Sequence, residues 1–359
     1  MENWVYQAIS KIEADFKRSS DTHMLKLDLP AVKHVHLYLK DESTHPTGSL
    51  KHRLARSLFL YGLCNGQIHK NTTIIESSSG STAISEAYFA RLLDLPFIAV
   101  VPKKTSQEKI DKIAFYNGKC HLVDAKDIYN EAARLAKELK GHYMDQFTFA
   151  ERVTDWRGNN NIATSIFSQM ANEPCPIPYW IVVSAGTGGT SATIGRYIRY
   201  KRHSTKLCVA DPDDSVFFDY YQTGDDMLTS ARSSMIEGIG RPRVEPSFVP
   251  GVIDKMIKIP NVASYATIHF LEKLLNRRCG GSTGTNLYAA FQLISQLYNQ
   301  SQEISMVSMI CDAGDRYPDT YYNSDWLKEN GFNIKPHLEQ LEKFYESGFL
   351  KMDTKSHIR

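Results

Sequence analysis

The chain has 359 residues, of which 42% are hydrophobic and 23% charged, with a formal net charge of +2. That length suggests about two domains with ample material for a core, and the composition is that of an ordinary globular protein. The near-zero net charge gives no global attraction to nucleic acid or to a membrane surface.

The start, MENWVYQAISKIEADFKR, is charged and has no long apolar run, so no secretory leader is expected. No later stretch approaches about 18 uninterrupted apolar residues, so no membrane segment is expected. In 46-PTGSLKHR-53 and beyond, Leu50, Leu54, Leu58 and Tyr61 have helical spacing, which puts Lys51 in a first turn. There the helix dipole disfavours a positive charge, partial burial would add to the effect, and a neutral amine suits imine chemistry. Taken alone, such a lysine is more often a surface charge.

From about residue 72 the chain alternates. Strand 73-TIIE-76 leads through 77-SSSGSTA-83 into a helix over 82–94. Strand 97–102, a helical segment 107–118 capped by Gly118, strand 120–124 and a helix over 127–139 follow. The rhythm restarts with strand 180–186, the loop 184-SAGTGGTSA-192, a helix over 190–201, strand 206–212 and a late strand over 304–314. The run 196-RYIRYKRH-203 reads as a solvated helix face, not as a nucleic-acid site. Residues 211–262 are rich in Pro, Gly and Arg and read as functional loop. The amphipathic tail, 334-IKPHLEQLEKFYESGFL-350, can cover a site or a partner subunit. Apolar strands alternating with helices imply parallel sheets covered on both faces, and two such series imply two α/β domains.

Three strand-to-helix junctions carry small polar residues. Gly186, Gly188 and Gly189 let backbone approach an anion, while Thr187 and Thr190 add hydroxyls, which makes a phosphate cradle. It is neither a Walker loop nor a dinucleotide fingerprint: no Gly-Lys-Ser/Thr follows, and Ser191 replaces the third glycine. A tight turn without ligand is the bland alternative. The serines around Gly80 can hold a carboxylate or merely cap a helix. Taken jointly, cradle, carboxylate loop and helix-start lysine are the parts that hold pyridoxal phosphate and an amino acid. The six cysteines are scattered, without CxxC or a Cys/His cluster of zinc spacing. They read as reduced thiols of a cytoplasmic protein, and no metal is expected.

From about residue 38 to 325 the sequence resembles the fold-type II pyridoxal phosphate enzymes of the cysteine synthase and cystathionine β-synthase family. PTGSLKHR, 78-SSGST-82, 186-GTGGT-190, 237-EGIG-240 and 311-CDAGDRY-317 carry the resemblance, in order and spacing. It implies Lys51 as the Schiff-base residue and catalytic base, and Gly186, Thr187, Gly188, Gly189 and Thr190 around the phosphate. It implies Ser78, Ser79, Gly80, Thr82 and Gln146 for the substrate carboxylate, with Gly238 lining the site. Two positions depart from the family pattern. Ser81 replaces the asparagine that meets the cofactor O3′, and Ala313, beside Asp312, replaces the serine that faces the pyridine nitrogen.

The implied fold is α/β, two three-layer parallel-sheet domains of the tryptophan synthase β-like type. A smaller mobile domain would span 55–150; residues 1–54 and 151–359 would form the larger cofactor-binding domain with the tail. A cytoplasmic homodimer is implied, without nucleic-acid or membrane partners. The implied chemistry is β-elimination or β-replacement on cysteine, O-acetylserine or serine, with sulfide or a thiol as the other partner. The loop 237-EGIGRPRVEPSF-248 is similar to that of bacterial L-cysteine desulfhydrases. Its Arg241 and Arg243 can bind an anion or pair with Glu237 and Glu245. O-acetylserine sulfhydrylase, cystathionine β-synthase, and a catalytically reduced regulatory protein that binds cofactor and amino acid remain the alternatives.

Overall fold

The computed structural model describes residues 3–158 and 160–351. Among these, the strands in chain order are β1 (His23–Leu27), β2 (Val35–Asp41), β3 (Ile74–Glu76), β4 (Phe97–Pro102), β5 (Lys119–Val123), β6 (His142–Tyr143), β7 (Trp180–Ser184), β8 (Lys206–Pro212), β9 (Lys255–Ile259) and β10 (Ile304–Ile310). They form two sheets, and the chain divides into two units, Met1–Asp21 with His45–Asp155 and Thr22–Thr44 with Trp156–Arg359.

The first unit holds the sheet β5-β4-β3-β6, parallel throughout. Its core joins Leu54, Leu58 and Phe59 of helix Lys51–Cys64 to Ala83, Ala87 and Phe89 of helix Ser81–Leu92. Helix Asn3–Lys17 adds Val5, Ala8 and Ile12 at helical spacing. These three side chains find their buried partners here. The helix therefore stands in this unit.

The second unit holds the sheet β1-β2-β10-β7-β8-β9. Only β1 runs antiparallel, at the edge. The central strands β7 and β10 are buried along their whole length, which is why they read as unbroken apolar runs. The tail helix Lys335–Ser347 buries Leu341 and Phe344 in this unit's own core, with Phe344 packing 5.0 Å from Phe291.

Two sequence expectations change. Residues 211–262 contain helix Phe217–Thr223 and β9, which extends the sheet beside β8. Helix Gln107–Ala114 stops well before Gly118, and Asn117 takes the left-handed turn (φ 63°). Gly118 is small for another reason: a Cβ there would meet Ile113 Cγ2 at 2.7 Å. No described helix is long and apolar enough to cross a membrane.

Ile12 is fully buried. Ile12→Ala is expected to cost about 2–5 kcal/mol in urea unfolding followed by a probe in the first unit. An unchanged midpoint would contradict the packing of the amino-terminal helix in that core.

Candidate active site

In an open parallel sheet, ligands bind beyond the carboxyl ends of strands where the strand order reverses. In the first unit that point lies between β3 and β6, because β4 and β5 continue on the other side of β3. The serine loop leaves β3 there, and Asp145-Gln146 leaves β6. In the second unit it lies between β7 and β10. The glycine loop leaves one strand, and Cys311-Asp312-Ala313 leaves the other.

In the first unit, Lys51 is the first residue of its helix, half-buried, with no acidic residue in the first turn. Thr47, from the same motif, lies 2.9 Å from Ser85 and 3.1 Å from His52 Nδ1. The lysine motif is thereby fastened to the helix that the serine loop opens. Ser78, Ser79, Gly80 and Ser81 are half-buried. Gly80 takes the helix N-cap in an extended conformation, and its N–H donates to Ser78 Oγ at 3.3 Å. Thr82 Oγ1 donates to Gln146 Oε1 at 2.7 Å, so the structure brings these two expected carboxylate ligands together. Another buried lysine, Lys40, is a structural one in the second unit, since Nζ is held by Thr22 O at 2.8 Å and Gln169 Oε1 at 2.7 Å.

Sequence reasoning missed two acids beneath this loop. Glu76 ends β3 fully buried and accepts from Ser77 N–H at 2.6 Å, Ser77 Oγ at 3.1 Å and Gln146 N–H at 3.2 Å. With its proton given to Glu76, Ser77 Oγ receives that of Tyr143 at 2.7 Å. Glu86, on helix Ser81–Leu92, is also fully buried, and neither of its oxygens has a hydrogen-bond partner. The two carboxyls are neighbours without a well-formed bond between them. Burial pushes Glu76 up to about 7, opposed by the donors from Ser77 and Gln146. Burial first, and the Glu76 charge second, push Glu86 well above the ordinary carboxylate range. Two adjacent buried carboxyls do not both ionise, so Glu86 stays protonated. The one signal in the sequence was an acid closing the apolar run TIIE.

In the second unit, the glycine loop packs against residues 238–248. A Cβ at Gly186 would lie 2.1 Å from Gly238 O, and one at Gly188 would lie 2.6 Å from Ser247 O. Gly188 also has φ +87° and forms the N-cap of helix Gly189–Lys201, whose first turn has no acid. Thr187 and Gly189 are buried, and Thr190 is half-buried. Gly189 N–H donates to Thr187 Oγ1 at 3.3 Å, and Ser247 Oγ donates to Thr187 O. Gly240 N–H reaches Ala185 O at 2.8 Å. Side-chain-free backbone at a positive helix end fits a phosphate.

Asp312 is buried and accepts from Tyr317 Oη at 2.6 Å, while a Cβ at Gly280 would lie 1.9 Å from Asp312 Oδ1. Ala313 pairs with Cys279 in a single bridge. Arg241 and Arg243 both pair with buried Glu245, at 2.8 and 3.2 Å. Gly238 is exposed with φ +84°. Ser247 and Gly280 were not singled out from the sequence, because each matters through a partner far along the chain; Tyr317 was read only as part of the motif that also holds its partner Asp312.

Residues 19–312 match the family described as pyridoxal-phosphate dependent enzyme, and the chain belongs to that family. It is a pyridoxal phosphate-dependent enzyme with the α/β fold of the fold-type II group. It is 58% identical over 350 residues to L-cysteine desulfhydrase Cds1 of Mycobacterium tuberculosis, covering 96% of this chain and 95% of that protein. It is 26% identical over 314 residues to cysteine synthase 1 of Emericella nidulans, covering 84% and 82%. The crystal structure of O-ureido-L-serine synthase superposes with a TM-score of 0.73 at 23% identity, over 91% of this chain and 99% of that one, which bears on the fold alone.

Glu86 is neutral in the fold and has an ordinary value of 4.5 once unfolded, so unfolding releases its proton. Its contribution to stability is complete below pH 4.5 and falls as pH rises towards the raised folded value. Glu86→Gln is expected to flatten that fall across a window that opens at pH 4.5, by up to about 1.4 kcal/mol per pH unit. Urea unfolding across the window checks it, and identical slopes for both proteins would mean that Glu86 is not a neutral acid.

Proposed function

We propose that the chain is an L-cysteine desulfhydrase, converting cysteine and water to sulfide, ammonia and pyruvate by β-elimination. The observation that carries this reading is the 58% identity to such an enzyme over nearly the whole of both chains. The loop EGIGRPRVEPSF, whose arginines close on Glu245, supports it.

When bound, pyridoxal phosphate supplies a carbonyl that takes up the substrate amine and draws electrons from its Cα. In this reading Lys51 carries the cofactor and then moves the proton at Cα as general base. Gly186, Thr187, Gly188, Gly189 and Thr190 hold the phosphate. Ser78, Ser79, Gly80 and Thr82 bind the substrate carboxylate with Gln146, whose backbone Glu76 anchors. Ser81, Gly238, Asp312 and Ala313 complete the set, with Ser81 and Ala313 presenting less to the ring than the family pattern does. A cytoplasmic homodimer belongs to the same reading.

Sulfide and pyruvate are expected in equal amounts from cysteine alone. Lys51→Ala is expected to reduce the rate by about 10³-fold or more. Cysteine formation from O-acetylserine and sulfide, or cystathionine from cysteine and homocysteine, with no sulfide from cysteine alone, would replace this reading by a synthase. Cofactor colour that bleaches with no amino acid would point to a regulatory binding protein.

A further inference from the structure

The end of the second unit's sheet opposite the glycine loop carries a different chemistry. His36 is the second residue of β2, and Glu303 immediately precedes β10, where Ser305 pairs in register with His36. Cys175 lies in the segment leading to β7, and its carbonyl accepts from Ser305 Oγ at 2.5 Å. His36 Nε2 stands 2.6 Å from Glu303 Oε1. One ligand atom from each of His36, Cys175 and Glu303 lies within 4.8 Å of the others. We propose that these three residues form a binding site for a divalent cation of borderline softness, of the Zn²⁺ type.

The donor set has the right composition. Imidazole, thiolate and carboxylate are the three side-chain ligand types of zinc, and with bonds of about 2.0–2.3 Å a tetrahedral ion holds its ligand atoms roughly 3.3–3.8 Å apart. Binding replaces the direct His36–Glu303 contact, opening it from 2.6 Å, and gathers ligand atoms that already lie within 4.8 Å of one another. Glu303 has room to turn, since its side chain is 60% exposed, whereas that of His36 is 12% exposed and on the strand. A thiolate and a carboxylate balance the two positive charges, and the neutral imidazole binds through Nε2 with its proton on Nδ1. On binding, the Cys175 S–H bond breaks, its proton goes to solvent and an S–metal bond forms. No electron is transferred. The fourth position is left to water, as in open zinc sites.

A further acid stands beside the cluster: Glu173, two residues before Cys175, accepts from Tyr38 Oη at 2.7 Å, and Tyr38 is two residues along β2 from His36. A bound cation would tie the starts of β2 and β10 to the segment entering β7, at the end of the sheet away from the candidate active site. The inference does not rest on the proposed reaction.

Cobalt(II) serves as the spectroscopic probe. Titrated into the holoenzyme in thiol-free buffer, it is expected to give a thiolate-to-cobalt charge-transfer band that saturates at one equivalent. Cys175→Ser is expected to abolish the band, Cys64→Ser to leave it, and His36→Ala to weaken cobalt binding at least about tenfold. Zinc alone is expected to displace the cobalt and to raise the unfolding temperature of the native protein but not of Cys175→Ser. Absence of the band in large excess of cobalt, or its persistence in Cys175→Ser, would overturn the proposal. Both readouts are independent of desulfhydrase activity, so their failure leaves the reaction assignment standing.

Discussion

A single buried carboxylate organises the first unit's ligand end. Glu76 closes β3 and accepts hydrogen bonds from Ser77 on the next segment and from Gln146, which follows β6. The two loops that diverge from the switch point therefore hang on one side chain. A buried anion is costly without compensation. Here it comes from three donors, and from a neighbouring acid, Glu86, that keeps its proton instead of adding a second charge. Thr82 and Gln146, the proposed carboxylate ligands, are thus held in place from beneath by buried groups.

Much of the fold was legible because parallel sheets bury their strands on both faces. β4 and β8 have the boundaries read from the sequence, 97–102 and 206–212. β2 was missed although it is just as buried. Its sequence, VHLYLKD, interrupts the apolar run with His36 and Lys40. Lys40 is buried with Thr22 and Gln169, from other segments, accepting hydrogen bonds from its Nζ. Periodicity sees polarity and has no means of seeing a partner.

The candidate site divides along the same line. Lysine, serine loop and glycine loop were legible, since small residues before a helix have a local physical reason. Glu76, Ser247 and Gly280 act through partners distant in sequence, and no spacing rule reaches them. His36, Cys175 and Glu303 make the same point more strongly. They lie on three segments far apart in the chain, so a search for zinc-finger spacing passes over them. Asp312 is an intermediate case. The motif marked it, but only the fold shows that Tyr317 holds one of its oxygens and Gly280 leaves room for the other.

The packing of residues 238–248 on the glycine loop has a consequence for divergence within the family. Ser247 holds the carbonyl of Thr187, and Gly240 holds that of Ala185. A change in the length or shape of this segment also loosens the glycine loop, the backbone proposed to hold the cofactor phosphate. Tolerated changes in the segment are then expected to be those that keep these two carbonyls held, and Arg241 and Arg243, which share Glu245, are expected to change with it.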